Sequence, residues 1–187
     1  MVQKWNNLGL ELDIVLCLLK YGELHLRGLA KATGHPHSTL SRVIKKMVKK
    51  NLVDFKREGK NKIFNLKKGI ETINYVYLAE HYRLVRLIDK YPNMAVIIET
   101  ITKKTDEKLI LLFGSYAKFN AKPDSDIDLF VETKNRNVKR TVDEINSKIN
   151  TKIGDFEKSN PLVKEIIKDH VIIKGVETYY EKNSIFA

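Results

Sequence analysis

The sequence predicts an α+β protein of two domains. A basic, mostly helical first third is joined by a long linking helix to a C-terminal α/β domain built on a small mixed sheet. Three observations carry this. Residues 1–68 hold fifteen basic and five acidic side chains, a net +10 out of the chain's +11. Apolar residues recur at helical spacing through the first fifty positions and again across residues 70–90. Between residues 107 and 157 the pattern turns to short apolar runs bounded by Gly, Pro, Asn and Asp, which is the signature of strands. A length of 187 residues is enough for two small cores.

Within the basic third, "LGLELDIVLCLLKYG" predicts a helix closed by Gly22, "LHLRGLAKATG" a second closed by Gly34, and "HSTLSRVIKKMVKK" a third opened by Pro36. In the third, Leu40, Val43, Ile44 and Met47 share one apolar face, leaving Ser38, Ser41, Arg42, Lys45, Lys46 and Lys49 on the other. Next come two strand-like runs, "LVDFKR" and "KIFNLK", around Glu58-Gly59-Lys60-Asn61, where Gly59 and Asn61 suit a tight hairpin. Three helices followed by a basic hairpin resemble the winged helix-turn-helix domain of bacterial and archaeal transcription regulators, over roughly residues 8–68. The stretch "GLAKATGHPHSTLSRVIKKMVKKNLVDF" carries that resemblance. It implies double-stranded DNA as the partner, with the start of the third helix in the major groove. His37, Ser38, Thr39, Ser41 and Arg42 are then the candidate contacts, Arg42 the foremost, and Lys45, Lys46, Arg57, Lys60 and Lys62 the candidate phosphate partners.

The segment "GIETINYVYLAEHYRLVRLIDKY", ended by Pro92, places Ile73, Val76, Tyr77, Leu84, Val85 and Ile88 at helical spacing. It predicts a linking helix over residues 69–91. Its apolar stripe either packs on the flanking domains or pairs two copies of the chain into a homodimer, with Leu84 and Ile88 in the seam.

Residues 92–187 carry the chemistry. "EKLILLFGS" reads as a buried strand closed by Gly114-Ser115, "YAKFNA" as the first turns of a helix, and "SDIDLFVE" as a strand containing Asp126 and Asp128. Residues two apart on a strand share a face, so the two aspartates set like charges side by side, an arrangement that a divalent cation relieves. The other reading is a frayed, solvated strand start beside "KPDSD". Gly114-Ser115 followed by Ser125-Asp126-Ile127-Asp128-Leu129 resembles the core motif of the minimal nucleotidyltransferases of the polymerase-β-like superfamily, over roughly residues 92–180. The resemblance implies that Gly114, Ser115 and Lys118 hold the nucleotide phosphates and that Asp126 and Asp128 hold Mg²⁺ as metal ligands and catalytic acids. A third carboxylate on a later strand would help to activate the attacking hydroxyl. The family often has arginine where this chain has Lys118, and "INTKIGDFE" presents Asn150, Thr151 and Lys152 where that acid is sought, with Asp155 and Glu157 just beyond.

Two functional readings follow. In the first, the chain is a DNA-binding transcriptional regulator whose second domain binds Mg²⁺-nucleotide with little or no catalysis. In the second, it is an active nucleotidyltransferase that passes NMP from an NTP to a protein or other hydroxyl acceptor, and the resemblance implies a further use as the antitoxin of a toxin–antitoxin pair, with a toxin protein as partner. A pure dimerisation scaffold is a third use of the domain. No apolar run approaches the length of a membrane span, and Glu11 and Asp13 interrupt the first apolar stretch, which argues against an export signal. The single cysteine, Cys17, sits among apolar residues at helical spacing and fits a reducing, cytoplasmic setting. His35 and His37 flank Pro36 without the Cys or carboxylate company of a zinc site.

Overall fold

A computed structural model describes residues 8–183, so the first seven residues of the segment read above for an export signal lie outside it. The chain forms two compact units whose division falls between Tyr82 and Arg83. In the first unit, α1 (Leu8–Tyr21), α2 (Leu26–Thr33) and α3 (His37–Lys49) precede the hairpin of β2 (Val53–Glu58) and β3 (Asn61–Leu66). The second helix is shorter than its apolar spacing suggested. Leu24–His25 peel away as a two-residue strand, β1, which pairs antiparallel with β3 and anchors the hairpin to the helices. Gly34 ends α2 in the left-handed conformation at φ 72°, donating its N–H to Ala30 O. Gly59 takes the first central position of the hairpin turn at φ 58°, the glycine position of a II′ turn.

The core of this unit consists of Ile14, Val15, Leu29, Leu40, Val43 and Met47, all essentially without solvent contact. The first half of α4 (Ile70–Lys90) belongs to the same unit. Thr72 Oγ1 donates to Leu52 O at 3.3 Å, and Val76 and Ala79 are fully buried. Glu11 is itself buried and accepts the Lys50 ammonium at 2.6 Å, while Lys50 also donates to Tyr75 Oη at 3.0 Å. This triad ties α1, the end of α3 and α4 together.

In the second unit, α5 (Asn93–Lys104) is followed by β4 (Ile110–Phe113), α6 (Gly114–Ala117), β5 (Ile127–Glu132), α7 (Arg136–Asp143), β6 (Ile149–Gly154), α8 (Pro161–Lys168), β7 (Val171–Lys174) and α9 (Val176–Asn183). The sheet order is β6-β5-β4-β7, with β5 and β6 parallel and the other pairs antiparallel. Ile127, Leu129 and Val131 turn one sheet face to a core shared with Ile97, Ile98 and Ile101 of α5 and Val142 of α7. The opposite face carries Phe130, stacked edge-on with Phe156 at 6.0 Å, and Phe156 in turn meets Tyr179 of α9 at 5.5 Å. The open edge of β6 is capped at Thr151, whose N–H is accepted by Asp143 Oδ1 at 3.0 Å and whose carbonyl accepts from Lys139 at 2.7 Å. That pair blocks edge-to-edge strand addition.

Of the two uses read for the apolar stripe of α4, packing on a flanking domain is visible at Leu84 and Ile88. Both are half-buried against the core of the second unit, beside the fully buried Leu87. The large apolar residues of the helix left exposed are Ile70 at 68%, Leu78 at 43% and Val85 at 53%.

Candidate functional site

Two sites can be built, one in each unit. In the first, the apolar stripe of α3 is drawn into the core, which turns His37, Ser38, Arg42, Lys45 and Lys46 outward, with Thr39 and Ser41 half-buried. The hairpin holds Arg57, Lys60 and Lys62 exposed beside them. Lys62 Nζ stands 3.8 Å above the Phe55 ring, which fixes the direction of that charge. Lys56 is the exception in the hairpin, since Glu23 neutralises it at 2.6 Å. Among the described residues, Arg42, Lys45, Lys46, Arg57, Lys60 and Lys62 have no carboxylate partner, so their charge is available to an external polyanion. Between α3 and the hairpin runs a groove of about 950 Å³, floored by Ile44, Val48, Phe55 and Phe64 and bordered by Lys45 and Lys60. Charged rim and apolar floor together give a surface that can follow a phosphate backbone.

The second site lies where β4 ends. Gly114 turns at φ 71° straight from β4 into α6. A Cβ at this position would overlap Asp128 Oδ2 and come within 3.2 Å of its Cγ. The carboxylate of Asp128 is thus pressed on the Gly114 backbone, opposite Phe113 in the β4–β5 ladder. Ser115 is half-buried in the same turn, whereas Lys118 is exposed just past it. The helix read from "YAKFNA" is corrected: α6 begins at Gly114 itself and lasts one turn, and the chain leaves it through Phe119 at a positive φ of 57°.

Only one of the two aspartates lies in the strand. Asp128 is the second residue of β5 and half-buried, while Asp126 precedes β5 and is exposed. Burial pushes the Asp128 carboxyl above its ordinary range, and the charges of Asp126 and Glu165 push the same way. A hydrogen bond from Asn150 and the charge of Lys152 work against them. Asn150 stands directly across from Asp128 in the parallel β5–β6 register and donates Nδ2–H to Asp128 Oδ1 at 3.3 Å.

Asp155 and Glu157 both lie past the end of β6. Asp155 follows β6, five residues past Asn150, which is about 16 Å of extended chain, and it pairs with Lys134 at 2.9 Å. Glu165, an exposed residue of α8 that the sequence pattern did not single out, adds the smallest of the charge effects on Asp128. Nothing in the strand pattern pointed to a helix that follows it. Among the described residues no group of three or more His, Cys, Asp or Glu is close enough to hold a metal by itself, and His35 and His37 form no such group. Cys17 is half-buried, and burial raises its thiol pKa, so it behaves as an apolar filler. No helix among the described residues is long and apolar enough to cross a membrane.

Comparison with known families agrees with this geometry. Residues 9–62 match the MarR family, and residues 96–179 match the family described as polymerase beta, nucleotidyltransferase. No curated protein and no solved structure matches the chain. The first match spans the helices and most of the hairpin that display the basic surface, and the second spans the Gly114 turn, Asp126, Asp128 and the whole sheet. The chain therefore joins a MarR-family winged-helix domain at residues 9–62 to a polymerase beta nucleotidyltransferase domain at residues 96–179.

Proposed function

We propose that the protein is a homodimeric, cytoplasmic DNA-binding transcriptional regulator whose second domain holds Mg²⁺-nucleotide and transfers little or nothing from it. The carrying observation is the pairing of Asp128 with Gly114 on one side and with an amide, Asn150, on the other. The donor set fits a divalent cation. Asp128 and Asp126 are two carboxylates that repel one another, and among the described residues no salt bridge reaches either, while hard cations of the Mg²⁺ kind take one or two carboxylates plus phosphate oxygens. When bound, Mg²⁺ would neutralise phosphate charge and polarise the phosphoryl oxygens. Gly114 gives phosphates close access to the backbone, Ser115 offers its hydroxyl, and Lys118 adds a flexible point charge rather than the bidentate fork of arginine.

Proton removal from an attacking hydroxyl is what the site lacks. Asn150 occupies the position beside Asp128 on the neighbouring strand, and an amide cannot accept a proton there. The rival reading is an active nucleotidyltransferase with a hydroxyl acceptor, including a toxin protein neutralised by its antitoxin. In it Asp126 and Asp128 hold Mg²⁺ on an NTP, Gly114 and Ser115 hold its phosphates, and Asp155 or Glu157 is the acid sought for the acceptor hydroxyl.

In the first domain we assign His37, Ser38, Thr39, Ser41 and Arg42 to the major groove and Lys45, Lys46, Arg57, Lys60 and Lys62 to phosphates. Pairing of two copies is assigned to the α4 face that carries Ile70 and Leu78, both exposed and two helical turns apart. The deciding experiment incubates the full chain with Mg²⁺ and each labelled NTP, with and without cell extract as a source of acceptors. Retained nucleotide that is lost with Asp126→Asn/Asp128→Asn, and no covalent label, is expected. Robust labelling abolished by Asp126→Asn would overturn the reading in favour of the enzyme.

A further inference from the structure

The second unit contains a cavity of about 450 Å³ that the metal-nucleotide reading does not use. Its lining includes Ile127, on the sheet face that turns away from Asp128. Lys90, Lys122 and Lys148 line it, no aspartate or glutamate does, and its aromatic part is the pair Tyr91 and Tyr116, set edge to face at 4.9 Å. A cavity with three ammonium groups, no carboxylate and two phenol rings is complementary to an anion carrying a planar ring.

The same residues fasten the loop that delivers Asp126. Tyr91 Oη accepts the N–H of Ala121 at 3.1 Å, and Lys148 Nζ donates to Pro123 O at 2.5 Å. Lys148 O also accepts the N–H of Ile127 at 2.8 Å, while Ser125 closes the loop on itself by accepting from Lys122 N at 2.9 Å. A phosphate reaching the Lys148 ammonium competes with the Pro123 carbonyl, a neutral acceptor, and the charged acceptor makes the stronger bond. A ligand in the cavity thereby loosens residues 121–125 and, through them, Asp126.

We infer that this cavity binds a nucleoside monophosphate without metal, the base against Tyr91 and Tyr116 and the phosphate on the lysines. Its effect on the neighbouring site, a weaker hold on Mg²⁺-NTP, rests on the Mg²⁺-nucleotide reading above, but the binding itself does not.

The test is calorimetric titration of the full chain in EDTA with AMP, GMP, CMP and UMP, and with ribose 5-phosphate as the base-free control. Saturable binding of at least one monophosphate is expected, about tenfold weaker with Lys122→Glu, a substitution at an exposed position. Lys148→Gln, checked for folding by its thermal transition, is expected to weaken binding as well. Asp126→Asn/Asp128→Asn is expected to leave it unchanged, so failure of the metal site and failure of this one are separately visible. No saturable binding of any monophosphate in EDTA would overturn the inference. So would an affinity indifferent to Lys122→Glu, or ribose 5-phosphate binding as tightly as the monophosphates.

Discussion

Replacing Gly114 by alanine tests the close approach on which the metal-site geometry depends. Two penalties arise. The residue sits at φ 71°, where an L side chain costs about 1–2 kcal/mol. The new methyl group also overlaps Asp128 Oδ2, so the carboxylate must swing away and give up its hydrogen bond from Asn150, a loss of about 1 kcal/mol for a half-buried bond of this length. The expected total is about 2–3 kcal/mol, or about 10–20 °C in the melting temperature of a unit this size. In an Asp128→Ala background only the backbone term should remain, since the methyl would then face a Cβ at 3.4 Å, an ordinary contact. A double-mutant cycle read by urea unfolding should therefore return a coupling of about 1 kcal/mol. Equal costs for Gly114→Ala in both backgrounds would refute the claim that Asp128 is pressed on this turn.

Four further outcomes are expected. In fluorescence anisotropy on operator DNA, Arg42→Ala should weaken specific binding more than Lys60→Ala, and both should flatten the salt dependence; unchanged affinity after removal of both side chains would contradict the winged-helix surface. Asp126→Asn with Asp128→Asn should leave the metal-free protein equally or more stable, because the like-charge repulsion is removed, while abolishing Mg²⁺-dependent nucleotide binding. Because the folded-state pKa of Asp128 is raised, the metal-free wild type should lose stability as pH climbs from the ordinary carboxylate value through the raised one, and Asp128→Asn should remove that slope in thermal melts. Leu84→Lys with Ile88→Lys should melt the C-terminal unit rather than yield folded monomers, which circular dichroism beside sedimentation would show, because both residues pack on its core.

Much of this protein was legible in its sequence because local patterns and tertiary structure agree. The apolar stripe of α3 is also its buried face, and Gly34 and Gly59 stand where a positive φ is required. What escaped were matters of partnership between distant segments. Leu24–His25 pattern with the helix that follows, yet β3 draws them into a sheet. Leu84 and Ile88 are spaced as well for a dimer seam as for a core, and spacing cannot say which surface arrives first. The strand pattern marked Asp126 and Asp128 as equivalents, although the ladder with β6 begins at Ile127 and leaves Asp126 outside.

The central claim, a two-carboxylate Mg²⁺-nucleotide site without a proton acceptor at Asn150, is tested most directly by crystals soaked with Mg²⁺ and an unreactive NTP analogue. The account predicts a metal ligated by both Asp126 and Asp128, phosphates on the Gly114-Ser115 turn, and Asn150 still donating to Asp128. A metal held elsewhere, or one bridging Asp128 and Glu165 with Asp126 turned to solvent, would contradict it.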